Sequence, residues 1–272
     1  MFERGKRMKA WEGTFRMPIS GRSSKPRTTG HTMLIDKGLG LNATTDLIAM
    51  AADYIDVVKF TFGTSAFYGR EIIEEKISLL KKANIDVMPG GTFLEVAVWQ
   101  GTYDKYLKRA KQLGFSAIEA SDGTIEMDLK TREKVIKEAL DAGFKVISEV
   151  GKKKPEEKPA LSLMHQEMEE DLENGVFKVI VEARAAGKGV GIYDEKGDVK
   201  ISEIDGILAG RVQVNDLIWE APIKNQQQYL ILRFGVNVNL GNVPSNDILA
   251  LEALRQGLRG DTLKKAYLES LK

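Results

Sequence analysis

The chain has 272 residues, 43% of them hydrophobic, and its 40 Lys and Arg nearly balance 39 Asp and Glu for a formal net charge of +1. Basic residues gather only in short stretches (Arg4, Lys6, Arg7 and Lys9; Gly151–Lys154), which excludes the wide basic face of a nucleic-acid binder, and no apolar stretch reaches the roughly 18 residues that span a bilayer. The absence of cysteine excludes disulfides, thiolate zinc sites and a cysteine nucleophile, and with His31 and His165 as its only histidines the chain could hold only a hard, oxygen-bound metal, magnesium or manganese.

Residues 1–17 are broken by charge and lack a signal-peptide apolar core, so a cytoplasmic protein is expected. Residues 1–24 read as an N-terminal extension and residues 25–272 as one domain. Short apolar runs rich in Val and Ile then alternate with longer amphipathic stretches, the pattern of buried parallel strands and the helices that cover them. The first run, Thr32–Ile35, is followed by a helix predicted over Asp46–Tyr54. Ile55–Phe60 is followed by Glu71–Lys82, and Ile85–Met88 by Asp104–Leu113. Ala117–Ile118 leads into Thr131–Ala142, Lys145–Ile147 into Leu161–Glu173, and Val176–Val181 into a shorter helix near Ser202–Leu208. Leu217–Trp219 precedes Asn225–Phe234, and Val236–Leu240 precedes Asn246–Leu258. Gly114, Gly143, Gly175 and Gly235 stand where helix C-caps are expected. Eight βα units close into a (β/α)8 TIM barrel, a single α/β domain. The alternative, an open doubly wound sheet, calls for a Gly-rich turn after the first strand, and Lys37–Gly40 offers only Gly38 and Gly40.

Barrel chemistry sits at the C-terminal strand ends. Reading there gives Asp36 and Lys37 after the first run, and Lys59 closing the second with Thr61, Gly63, Thr64 and Ser65 beyond it. Gly90 and Gly91 follow the third, Glu119, Ser121 and Asp122 the fourth, Glu149 and Lys152 the fifth, and Glu182 and Arg184 the sixth. Glu220 follows the seventh, though Trp219 and Pro222 suit a structural segment there; Gly241 and Asn242 follow the eighth. Three consecutive units share a form, a C-cap glycine, an apolar strand, then a glutamate, and these glutamates are Glu119, Glu149 and Glu182. Adjacent strands lie roughly 4.8 Å apart, so the carboxylates would converge and repel unless cations sat among them. Lys59, Lys152 and Arg184 supply part of that charge and a divalent metal the rest. The segment Val236–Asp247 ends a strand in Gly-Asn and offers Ser245 or Asn246 as a helix cap, which suits either an anion site or an ordinary turn. Gly151–Pro159 and Gly187–Val199 read as charged loops, lids or simply solvated. His31 is expected to be structural and His165 to lie on an outer helix.

With these residues in view, the sequence resembles the phosphosulfolactate synthase family. The matching phrases are KPRTTGHTMLIDKGLG (Lys25–Gly40), YIDVVKFTFGTS (Tyr54–Ser65), IEASDGTIEM (Ile118–Met127), GFKVISEVGKK (Gly143–Lys153), VEARAAGKGVGIYD (Val181–Asp194), LIWEAPIKNQQQYLILRFG (Leu217–Gly235) and VNLGNV (Val238–Val243). The resemblance implies a barrel that adds sulfite to C3 of phosphoenolpyruvate with Mg2+, giving (2R)-2-O-phospho-3-sulfolactate, on the way to coenzyme M in methanogens or sulfolactate in some bacteria. It implies Glu119, Glu149 and Glu182 as metal ligands and a lysine acid for C2. Lys152 is the first choice, since it follows the fifth strand beside a loop that would act as a lid, and Lys59 the second. Arg184, Lys37, Ser121, Gly241 and Asn242 are the expected contacts of the anionic substrates. The expected partners are these small anions, with no nucleic acid and no membrane, and self-association is left open. The rival readings are a relative with another carboxylate substrate or nucleophile, and a stress-related protein without this activity.

Overall fold

The computed structural model describes residues 9–152 and 159–271. Eight parallel strands, β1 (Thr32–Asp36), β2 (Val57–Phe60), β3 (Asp86–Pro89), β4 (Ala117–Ala120), β5 (Lys145–Val150), β6 (Lys178–Val181), β7 (Leu217–Glu220) and β8 (Leu240–Pro244), run in the order β3-β2-β1-β8-β7-β6-β5-β4. The ring is a single-domain (β/α)8 TIM barrel, nearly closed: β3 and β4 share no ladder, but the Ser116 N–H donates to the Val87 carbonyl (3.1 Å) and the Val87 N–H to Ser116 Oγ (2.9 Å). The α-helices among the described residues are α1 (Leu41–Ala51), α2 (Arg70–Lys82), α3 (Gly91–Trp99), α4 (Tyr103–Leu113), α5 (Leu129–Asp141), α6 (Leu161–Glu173), α7 (Ile201–Leu208), α8 (Lys224–Phe234), α9 (Ile248–Arg255) and α10 (Gly260–Ser270). No helix among the described residues is long and apolar enough to cross a membrane.

Strand side chains alternate between faces, so every strand feeds two cores. The outward residues pack under the helices, with Val58, Ile118, Val146, Val179 and Trp219 in one continuous cluster. The inward residues form a separate layer across the barrel: Met33, Val57, Met88, Ala117, Ile147, Ile180 and Ile218. Gly241 takes the corresponding place on β8, because a Cβ there would lie 2.7 Å from Met33 and 3.0 Å from Ile218. The barrel is therefore plugged with apolar side chains below and open to chemistry above.

Several elements differ from the sequence reading: α1 runs over Leu41–Ala51 rather than Asp46–Tyr54, and α10 is a helix that reading lacks. The last strand is Leu240–Pro244 rather than Val236–Leu240. The alternation of Val with Asn237 and Asn239 imitates a strand, but both asparagines serve the N-terminal end of the barrel. Asn239 Oδ1 accepts from the Gly30 and His31 N–H groups (2.8 and 2.9 Å), its Nδ2 donates to the Leu217 carbonyl (2.8 Å), and Asn237 Oδ1 accepts from Ser23 N–H (3.0 Å). Gly241 and Asn242 consequently lie within the strand, not in a loop beyond it. Neither Ser245 nor Asn246 caps the following helix: they sit in a 3-10 turn, Ser245–Asp247, and α9 starts without a side-chain cap. Finally, two helices follow β3, and α3 was not expected.

Candidate functional site

The apolar layer fixes where charge can sit. Counting two residues on from its members gives Lys59 after Val57, Glu119 after Ala117, Glu149 after Ile147, Glu182 after Ile180 and Glu220 after Ile218. Each therefore points inward, one layer nearer the C-terminal mouth. All five line a cavity of about 490 Å³, together with Arg184, Asn242 and the Gly90–Gly91 backbone.

Lys59 lies at the centre. Its Nζ is 2.9 Å from Glu119, 3.0 Å from Glu220 and 3.7 Å from Glu149, with all four side chains buried. Burial acts to lower the Lys59 pKa, but Glu119, Glu220 and Glu149 outweigh it and hold the ammonium well above the ordinary lysine range. Burial pushes the Glu119 carboxyl up to about 8; Lys59 opposes the rise and Glu149 adds to it. Glu119 also accepts the Gly91 N–H (2.6 Å), so it is turned towards β3.

The carboxylates that converge are Glu149, Glu182 and Glu220, with one oxygen from each lying within 4.8 Å of the others. Each is also held by a donor of the protein. Ser121 Oγ donates to Glu149 (2.8 Å), Ala183 N–H to Glu220 (2.9 Å), and the Arg184 N–H to Glu182. Buried carboxylates at this spacing repel one another unless positive charge stands among them. The donor set is all oxygen, as Mg2+ or Mn2+ requires. Neither histidine is near: His31 Nδ1 lies 3.2 Å from Asn239 at the opposite end of the barrel, and His165 Nε2 lies 2.9 Å from the Gly206 carbonyl on the outer layer.

Of the residues expected from sequence, Lys59, Glu119, Glu149, Glu182, Arg184 and Asn242 meet at the cavity. Asn242 has a φ of +53°, which breaks the β8 alternation and places Asn242, not Val243, on the cavity wall. Its Oδ1 is buried and lacks a hydrogen-bond partner among the described residues.

The others lie elsewhere. Gly151, at φ +107°, turns the chain after β5. Lys152 Nζ then reaches the Asp122 and Ile125 carbonyls (2.6 and 3.2 Å) and Asp122 Oδ2 (3.2 Å), and the residue lines a separate, smaller cavity that it shares with Glu182. Lys37 is exposed in the turn after β1, where Asp36 caps the Gly38 and Leu39 N–H groups (2.8 Å each) and pairs with buried Lys76 (2.6 Å). Ser121 is buried behind Glu149, and Gly241 is a packing position.

Of the two expected lids, residues 153–158 lie outside the described residues. The other, Gly187–Val199, is pinned rather than solvated. Gln226 Nε2 donates to the Gly187 and Gly197 carbonyls (2.6 and 3.1 Å), and the Tyr193 hydroxyl to the Glu220 carbonyl (2.7 Å). Glu220 joins the cluster although Trp219 and Pro222 give its segment a structural look in the sequence. The apolar-x-Glu spacing it shares with β4, β5 and β6 is the signal that identifies it.

The family model of (2R)-phospho-3-sulfolactate synthase (ComA) matches residues 20–261. The phosphosulfolactate synthase of Methanocaldococcus jannaschii is 44% identical over 238 residues, covering 87% of this chain and 94% of that protein. The phosphosulfolactate synthase of Bacillus subtilis is 42% identical over 250 residues, covering 91% and 98%. Among solved structures, 3-hexulose-6-phosphate synthase from Salmonella typhimurium superposes with a TM-score of 0.53 at 14% identity, covering 88% of this chain and 99% of that one, a likeness of fold alone. On the strength of the family model and these relatives, the chain belongs to the phosphosulfolactate synthase family of enzymes.

Proposed function

We propose that this protein adds sulfite to C3 of phosphoenolpyruvate to give (2R)-2-O-phospho-3-sulfolactate, and that it does so with Mg2+. One observation carries the reading: a buried, charged lysine stands beside three converging carboxylates at the C-terminal mouth of the barrel. Glu149, Glu182 and Glu220 are the residues that would hold the ion. When bound, Mg2+ supplies positive charge to a substrate carboxylate that gains electron density.

The electron count is simple. The sulfur lone pair forms the C3–S bond, and the C2–C3 π pair moves onto the carboxylate as an enediolate. That pair then takes a proton at C2. Lys59, rather than Lys152, is the acid in this reading, because its ammonium points into the cavity whereas the Lys152 amine is committed to carbonyls. After donating, Lys59 stands as an amine among carboxylates that favour its reprotonation. Glu119, bridging Lys59 and the Gly91 N–H, sets the direction of the Lys59 side chain. Arg184 at the mouth and Asn242 on the wall are suited to the phosphate or sulfonate oxygens. Phosphoenolpyruvate is a cytoplasmic metabolite, and we place the protein in that compartment.

The test incubates purified protein with phosphoenolpyruvate, sulfite and MgCl2 and follows products by 31P NMR and mass spectrometry. A phosphorylated sulfonate that forms only with both substrates, and not with EDTA, is expected. Intact phosphoenolpyruvate under these conditions overturns the reading.

A further inference from the structure

The helix α3 is the first of two helices that follow β3. It enters at the one seam without a ladder, between β3 and β4, and it starts against the site. A Cβ at Gly91 would lie 2.5 Å from Ser121 Cβ and 3.2 Å from Glu119 Cγ, so the helix is seated with no room between. One turn further on, it carries a carboxylate, Glu95, that is 1% exposed.

Glu95 is anchored to the β4–α5 loop. Its Oε2 accepts the Thr124 and Ile125 N–H groups, both at 2.8 Å, and its Oε1 lies 3.2 Å from Ser121 Oγ. The same Ser121 oxygen lies 2.8 Å from Glu149 Oε1 and accepts the Gly123 N–H at 3.3 Å. A serine hydroxyl has a single proton, and here it faces two carboxylates. The shorter distance assigns that proton to Glu149. What remains for Glu95 is to fix the loop that carries the hydroxyl.

The geometry points to Glu95 as a positioning residue that acts on Glu149 through the single Ser121 proton, so that α3 holds the metal-facing carboxylates from behind. This rests on the metal reading above. Groups that orient a metal ligand from behind typically account for about 10–100-fold in metal affinity. Gln at position 95 is the discriminating substitution. Its amide oxygen can take both loop N–H groups, and its Nε2 can donate to Ser121 Oγ, which leaves the hydroxyl proton no acceptor but Glu149.

The experiment titrates the purified full chain with Mn2+ by electron paramagnetic resonance and calorimetry, with melting temperature measured in parallel. Ser121→Ala is expected to weaken Mn2+ binding by about tenfold or more with little loss of melting temperature. Glu95→Ala is expected to do the same, and Glu95→Gln to bind within about twofold of the parent or tighter. Parent-like affinity in Ser121→Ala, or Glu95→Gln as weak as Glu95→Ala, overturns the proposal. A parent protein that binds no Mn2+ overturns the metal reading alone, and a crystal structure of Ser121→Ala then decides. A Glu149 carboxylate that has swung out of the cluster supports the positioning role, and one left in place overturns it.

Discussion

Replacing Lys59 with Met separates the electrostatic role of this residue from its chemical one. The ammonium is the common partner of Glu119 at 2.9 Å and Glu220 at 3.0 Å, and Glu149 lies 3.7 Å away, with all four side chains buried. Removing one partner from a buried ion cluster costs about 3–5 kcal/mol, since charges are left without compensation. In a chain of this size that corresponds to a drop in melting temperature of roughly 6–20 °C. The carboxylates can escape part of the cost by binding protons, so the loss should be small near pH 5.5 and grow towards pH 8.5. Millimolar Mg2+ should restore part of it by replacing the missing charge. Turnover should fall by about 10²–10⁴-fold, the usual share of a positioned acid, and should stay low when Mg2+ has restored the melting temperature. Differential scanning fluorimetry across pH with and without Mg2+, beside the phosphoenolpyruvate assay, reads both. Turnover within tenfold of the parent refutes the acid role, and an unchanged melting temperature at pH 8.5 refutes the description of the cluster.

Lys152→Ala should lose less than about tenfold in turnover, because general-acid contributions of about 10²–10⁴ belong to a group that reaches the substrate, and this amine faces the β4–α5 loop; a thousandfold loss would return Lys152 to the chemistry. Glu220→Gln should weaken Mn2+ binding and shrink the stabilisation the metal confers, about 2.7 kcal/mol for the parent at a hundred times its Kd, read as the melting shift on adding EDTA. For Glu119, the folded pKa is raised from 4.5 to about 8, so the metal-free protein binds the extra proton only when folded. Its stability should therefore decline as pH rises from about 4.5 to about 8, by at most about 1.4 kcal/mol per unit, and Glu119→Gln should flatten that slope in urea melts.

The barrel and most of its site were legible because both follow from a period of two. An inward apolar residue predicts an inward residue two positions later, and that arithmetic alone places Lys59, Glu119, Glu149 and Glu182 on one layer. It fails where the backbone leaves the strand. Lys152 is three residues beyond Glu149, but the left-handed Gly151 sends it to a different loop, and sequence does not reveal the sign of that φ. Asn237 and Asn239 alternate with valine as a strand would, and only the hydrogen bonds they make to residues 23, 30 and 31 show that they close the opposite end.

The unexpected helix exposes a deeper limit. Gly91–Trp99 reads GTFLEVAVW and is preceded by Gly90, so a glycine pair is followed by aromatic and β-branched residues with almost no polar face. Its exposed positions, Val96 and Trp99, are themselves apolar, so the helix has little amphipathic period to display, and composition of this kind favours a strand. What makes it a helix is tertiary: the open seam between β3 and β4 leaves space that only a chain beginning with two glycines can enter, and Glu95 finds two backbone donors and a serine hydroxyl once there. The sole acidic residue of that segment would be costly to bury unpaired, and pairing it requires the β4–α5 loop to take one shape. That loop carries the Ser121 hydroxyl whose proton holds Glu149. The residue hardest to read from the sequence is thus the one that ties the irregular part of the fold to the regular layer where the carboxylates converge.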